Sequence, residues 1–305
     1  MTKLLELYIS LVVLVLLGFI LGRQLPKAIP ARLGKFLFWI GVPISIVAFL
    51  RSSDLSGSIW IAPIAAWGAI SLGAGLAWMW INSQASTEPL WSRSTQGSFL
   101  LASMMGNTGY LGYPIILTFV GTHYFGWALF YDLLGSTVGT YGLGVVLAAR
   151  FGGRAQSRWQ LVQAILINPA LWSLGFGLIF RQLPLPILAE QTLHGAAWTI
   201  VALSLVLIGM RLSQLNSWHN LPRAAISLGI KMLLVPLVVG SSLSLFGITG
   251  FPRLVIVLQM AMPPAFATLV IAEAYNLDRE LAVTALAVGS AGLLVTLPVW
   301  LWLFG

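Results

Sequence analysis

Ten stretches of the chain stay apolar for about 20 residues or more, each long enough as a helix to cross the ~30 Å hydrocarbon core of a bilayer. They run from Leu4 to Leu21, Leu33 to Leu50, Ser58 to Ile81, Gln96 to Val120, Tyr124 to Ala149, Trp159 to Phe180, Leu188 to Leu212, Arg223 to Phe246, Arg253 to Asn276 and Glu280 to Leu303. The pattern predicts an all-α membrane protein of ten transmembrane helices. Eight of the stretches are uninterrupted or carry a single proline. The fourth and the ninth are different.

In the fourth, Gly106-Asn-Thr-Gly-Tyr-Leu-Gly-Tyr-Pro114 lies in the middle of the span. A glycine costs a helix interior roughly 1 kcal/mol and a proline roughly 3. In hydrocarbon, the backbone groups they free must find partners inside the protein. The span is therefore expected to stop near midplane and restart. The ninth carries Met262-Pro263-Pro264 at the corresponding place. Paired interruptions in the two halves of a membrane chain mark the substrate site of a transporter.

Other matches keep the same order along the two halves. Arg23-Gln-Leu-Pro26 follows span one and Arg181-Gln-Leu-Pro184 follows span six; Ala69-Ile-Ser-Leu-Gly73 of span three recurs as Ala225-Ile-Ser-Leu-Gly229 of span eight. Together with the breaks they register spans one to five on six to ten. Five is an odd number, so the second half enters the membrane inverted. The expected organisation is one five-helix repeat over 1–150 and a second, inverted repeat over 159–305.

Composition narrows the functional classes. The chain is 58% hydrophobic and 8% charged, with a mean hydropathy of +0.93, which places it outside soluble globular proteins. The absence of Cys removes disulfides, thiolate metal sites and cysteine nucleophiles together, and the 13 Trp suit interfacial anchoring. A net charge of +8 is scattered over short loops and forms no nucleic-acid patch. Of the 16 Lys and Arg, eleven fall in loops one, three, five, seven and nine, four fall on the other side, and Lys231 lies inside a span. The positive-inside rule then makes the odd loops cytoplasmic and puts both termini outside a plasma (inner) membrane. Glu6 inside the first span, with no small-residue cleavage site after it, argues for a helix and against a signal peptide. Enzyme signatures are missing: no Gly-x-Ser-x-Gly elbow, phosphate loop or His cluster at metal spacing. No cofactor or metal is implied.

The breaks suggest their own chemistry. Pro114 and Pro263 are expected as the first residues of the restarted half-helices, where proline is well tolerated. The restarted ends direct free N–H groups and a positive dipole end into the crossing, which makes an anion site without a basic side chain. Asn107 and Gln259 add amide donors and Thr108 a hydroxyl, with Asn107 also expected to cap the broken backbone. Three ionisable residues inside spans, Asp132, Lys231 and Glu273, are candidates for coupling or gating. Asp132 lies about eight residues, roughly 12 Å, in from the end of its span. Depth favours an inner-side pair of Lys231 with Glu273 over one of Lys231 with Asp132, while snorkelling is the plainer role for Glu273. Gly135-Ser-Thr-Val-Gly139 has the small-residue spacing of a close helix contact.

Asn107-Thr-x-x-x-Gly112-x-Pro114, Gln259-Met-Ala-Met-Pro263-Pro264, Ala272-Glu-Ala-Tyr-Asn276, Asn168-Pro169 and Lys231 before Pro236 together resemble the auxin efflux carrier family, which includes plant auxin exporters and bacterial permeases for small organic acids. The resemblance spans essentially the whole chain. It implies crossed spans four and nine, with substrate bound by Asn107, Thr108, Gly112, Pro114, Gln259, Pro263 and Pro264. It further implies a transport domain of spans three to five and eight to ten moving against a scaffold of spans one, two, six and seven, and a homodimer. The expected substrate is a small organic anion; the alternative is a sodium or proton antiporter or symporter of related fold. The chain lacks the long loop between spans five and six of many plant members and the acid these carry on span three.

Overall fold

A computed structural model describes residues 2–26, 28–84, 91–153, 166–213 and 220–305. The expected start of span six at Trp159 and the loop charges Lys27, Arg154 and Arg158 lie outside them. The described residues are all helical, without a strand. We number the helices α1 Thr2–Gln24, α2 Ile29–Arg51, α3 Ile61–Gln84, α4 Arg93–Met104, α5 108–119, α6 Thr122–Gly152, α7 Pro169–Phe180, α8 Ile187–Leu212, α9 Leu221–Phe246, α10 Gly250–Met260, α11 Phe266–Ala274 and α12 Arg279–Phe304. Six of these, α2, α3, α6, α8, α9 and α12, are long and apolar enough to cross a membrane. Spans four and nine are divided, into α4 and α5 and into α10 and α11.

The fold divides into two compact units, one of Met1–Ile59, Gly109–Leu129 and Leu166–Leu215, the other of Trp60–Thr108, Phe130–Ile165 and Asn216–Gly305. In the first, α1 lies against α8 at backbone contact. A Cβ on Gly18 would collide with the Val206 carbonyl, and one on Gly209 with the Val15 carbonyl. Glycine at these crossings lets two helices approach as larger residues cannot. Near the end of α2, Phe49 is fully buried and meets the rings of Phe125, His194 and Trp198 edge-on at 5.4–5.7 Å. Arg51 donates to the Phe180 and Leu183 carbonyls at 2.9 and 3.1 Å and pairs with Glu190 at 3.3 Å, while Arg181 donates to the Ser53 carbonyl at 2.8 Å. Each cation thus satisfies carbonyls left open at a neighbouring helix end.

In the second unit, the small-residue stripe of α6 packs as its spacing predicts. Gly135 sits against Ala66 of α3, and a Cβ on Gly139 would come within 2.6 Å of Ile70. Gly73, from the repeated Ala-Ile-Ser-Leu-Gly sequence, admits the Ser103 carbonyl at the end of α4, whereas a Cβ on its counterpart Gly229 would meet nothing within 4 Å among the described residues. Asp278 pins the starts of α4 and α12 together: its carboxylate accepts from Leu281 N at 3.0 Å and the Thr95 hydroxyl at 2.9 Å, and its carbonyl accepts from the Ser98 hydroxyl at 2.8 Å.

Apart from Pro298, which stands in the interior of α12, the prolines inside the spans follow two rules. Pro63 and Pro169 stand in first turns, the latter behind an Asn168 side chain that accepts from Ala170 N at 3.0 Å. Pro43, Pro114 and Pro236 each follow a widened π turn, over Leu37–Gly41, Thr108–Gly112 and Gly229–Leu234. Proline donates no N–H and its ring clashes with the carbonyl four residues back. A turn wound with five-residue spacing moves that carbonyl away.

Candidate functional site

The interruptions of spans four and nine meet inside the second unit. Met104 ends α4, Met260 ends α10, and the two loops pair as a short antiparallel bridge between Gly106 and Pro264. Asn107 N donates to the Pro263 carbonyl at 2.8 Å, and Ala265 N donates to the Met105 carbonyl at 3.1 Å. Each broken helix therefore satisfies the other, as hydrocarbon demands of backbone that has left a helix. Gly289 of α12 seats the proline pair, because a Cβ there would come within 2.9 Å of Pro263 and 3.0 Å of Pro264.

Both restart points differ from the sequence expectation. Span four resumes at Thr108, six residues before Pro114, and span nine resumes at Phe266, with Pro263 and Pro264 in the loop. Glycine and proline mark where a helix is weak, but the break falls where the backbone exchanges its bonds with the other loop. Asn107 also does not cap through its side chain. Its backbone N–H enters the bridge, and its carboxamide, partly exposed, makes no hydrogen bond among the described residues. Thr108 is buried, with its hydroxyl donating to Asp132 Oδ1. Gln259 is fully buried at the end of α10. Gly112 and Pro114 lie on α5 in the first unit.

The largest change concerns Lys231. It does not pair with Glu273, which instead meets Arg279 around the turn between α11 and α12, where Asn276 takes φ 56°. Lys231 is 3% exposed, its Nζ donates to the Met260 carbonyl, and it makes no ion pair among the described residues. Its ammonium lies against Gly106: a Cβ on that glycine would be 3.1 Å from Nζ. The crossing thus has a basic side chain after all.

Residues 153–301 match the sequence profile of a family described as membrane transport protein. The match covers just under half of the chain, its second half. The match bears out the resemblance drawn from the sequence. The chain is similar to an uncharacterized transporter of Methanothermobacter thermautotrophicus, 29% identical over 300 residues that cover 97% of this chain and 96% of the relative. It is also 28% identical over 215 residues, 68% of each chain, to an uncharacterized transporter of Methanocaldococcus jannaschii. Within the matched residues fall Lys231, Gln259, Pro263, Pro264 and Gly289; Gly106, Asn107, Thr108 and Asp132 precede them.

Proposed function

We propose that the protein is a secondary active transporter of small organic anions such as carboxylates, working by alternating access at the crossing of spans four and nine. The observation that carries this reading is the bridge at Gly106 and Pro264 with the Lys231 ammonium beside it. Backbone outside a helix at membrane depth is tolerated where protein buries it or it lines a cavity, and a buried cation there is functional by default. The Asn107 carboxamide stands ready as a donor. The names of both relatives agree with transport and with a non-enzymatic role.

In this reading the chain consists of ten membrane helices in two inverted repeats, with both termini outside the cytoplasm of a plasma (inner) membrane. Spans one, two, six and seven form the scaffold of a homodimer, and the remaining spans move in an elevator motion. The test is flux in proteoliposomes with a panel of mono- and dicarboxylates. Saturable uptake of at least one carboxylate is expected, and transport of cations with no carboxylate moved would sink the reading. A second reading, sodium or proton antiport or symport, is favoured by one contact, the buried Asp132 carboxylate accepting from Thr108 next to the bridge. Flux that requires an imposed sodium or pH gradient, and is lost in Asp132→Asn, would support it.

A further inference from the structure

The second unit holds a cavity of about 360 Å³ between the end of α3, the residues before α4 and the start of α9. Its size is near the lower end of the about 300–1,000 Å³ of small-molecule sites. Donors dominate its walls. The Arg223 guanidinium lies over the Trp91 ring, 5.0 Å from its centre, and donates one N–H to Asn220 Oδ1 at 3.3 Å. The indole N–H groups of Trp80 and Trp91, both closed off from solvent, have no hydrogen-bond partner among the described residues. Asn220, whose side chain is turned to Arg223, gives no side-chain cap to the first turn of α9. Among the described residues, no acid lines the cavity.

A buried donor calls for an acceptor, and the described residues supply none to these two. A cation, two indole donors and an uncapped helix start ask for one anion with several acceptor oxygens. The position is equally informative. The cavity lies at the ends of two membrane helices, next to Trp78 and Met79, which are 46% and 67% exposed. Trp and basic residues at helix ends mark headgroup level, and basic pockets between membrane helices take anionic headgroups.

We propose that this cavity binds the phosphate of an anionic phospholipid headgroup, with Arg223 as its charge partner and Trp80 and Trp91 as indole donors. A soluble phosphate shares that chemistry, so the test separates the two sources. The full-length protein in detergent is incubated with phosphatidylglycerol, with chain-matched phosphatidylcholine or with inorganic phosphate, and bound molecules are counted by native mass spectrometry. Phosphatidylglycerol is expected to be held roughly fivefold or more tightly than phosphatidylcholine, and Arg223→Gln to abolish that preference. Circular dichroism and gel filtration report whether the variant folds. Should it not, Trp80→Phe and Trp91→Phe, which keep an aromatic ring and remove only the N–H donor and the second ring, are expected to weaken the same preference. Inorganic phosphate that binds, depends on Arg223 and displaces the lipid would overturn the lipid assignment. Equal retention of the two lipids, or a preference untouched in every folded variant, would overturn the site.

Discussion

Replacing Lys231 with Met separates what the buried ammonium does for the fold from what it does for a ligand. The substitution keeps an unbranched stem of similar length and removes the donor to the Met260 carbonyl. A hydrogen bond from a charged group is worth about 1.5–3 kcal/mol. Against that loss stands the desolvation of a cation at 3% exposure, and replacing a buried charged group by an apolar one of similar volume is often neutral or stabilising. Thermal stability is therefore expected to be unchanged or slightly raised. Anion affinity behaves differently. An anion on the far side of the Gly106 backbone lies roughly 6 Å from the protonated side chain, which at an effective dielectric of about 20 is worth about 3 kcal/mol. That corresponds to roughly a hundredfold in affinity. Scanning fluorimetry gives the melting temperature and proteoliposome uptake gives the half-saturation concentration. A large drop in melting temperature with unaltered half-saturation would show that Lys231 holds the fold together and does not serve the ligand.

Three further outcomes follow from particular contacts. Gly209→Leu puts a side chain where the Val15 backbone of α1 already stands, so the protein should lose its folded peak in gel filtration, whereas Gly195→Leu on the same helix, where nothing lies within 4 Å, should keep it. Pro114→Ala restores an N–H at the end of the widened turn Thr108–Gly112; because that turn already moves the clashing carbonyl away, the interior penalty of about 3 kcal/mol for proline is not there to be recovered, so melting should shift little, and a large upward shift would show that the proline is strained there. Asp54 accepts from the backbone N–H of Ser56 at 2.8 Å and from its hydroxyl at 2.9 Å, with His123 at 3.7 Å. These bonds hold its carboxyl below the usual 3.8, the Ser56 backbone bond foremost. The stabilisation is present above the unfolded value and is lost as pH falls through the folded one. The Asp54 carboxyl carbon should titrate with a midpoint under 3.8 by NMR, and a midpoint above it would contradict the assignment.

The sequence carried the interruptions themselves, because glycines, an asparagine and prolines at midspan leave backbone groups that hydrocarbon cannot satisfy. It carried the contact of Gly135 and Gly139 as well, since small residues four apart on one helix have few other uses. What it could not carry depends on which helices become neighbours. Counting residues from the ends of spans put Lys231 on the inner side with Glu273, but depth along one helix says nothing of the loop lying beside it, and here that loop is Met105–Asn107. Glu273 found Arg279, six positions on, because Asn276 in a left-handed conformation reverses the chain between them. Gly18 and Gly209 were unreadable for a related reason: among 31 glycines, only the partner backbone distinguishes a crossing point from an ordinary gap.

The central claim is that a small organic anion binds at the crossing, and Asn107 tests it most directly. Its backbone N–H holds the bridge to Pro263 whatever the side chain is, so Asn107→Ala leaves the crossing intact and removes only the carboxamide. Leaving a ligand oxygen without that donor costs about 1–3 kcal/mol, or roughly tenfold and more in affinity. The measurement is the half-saturation concentration of the transported carboxylate in proteoliposomes of wild type and Asn107→Ala, at equal protein incorporation. A rise of about tenfold or more is expected in the variant; equal values in a normally folded variant would contradict substrate binding at the crossing and move the site elsewhere.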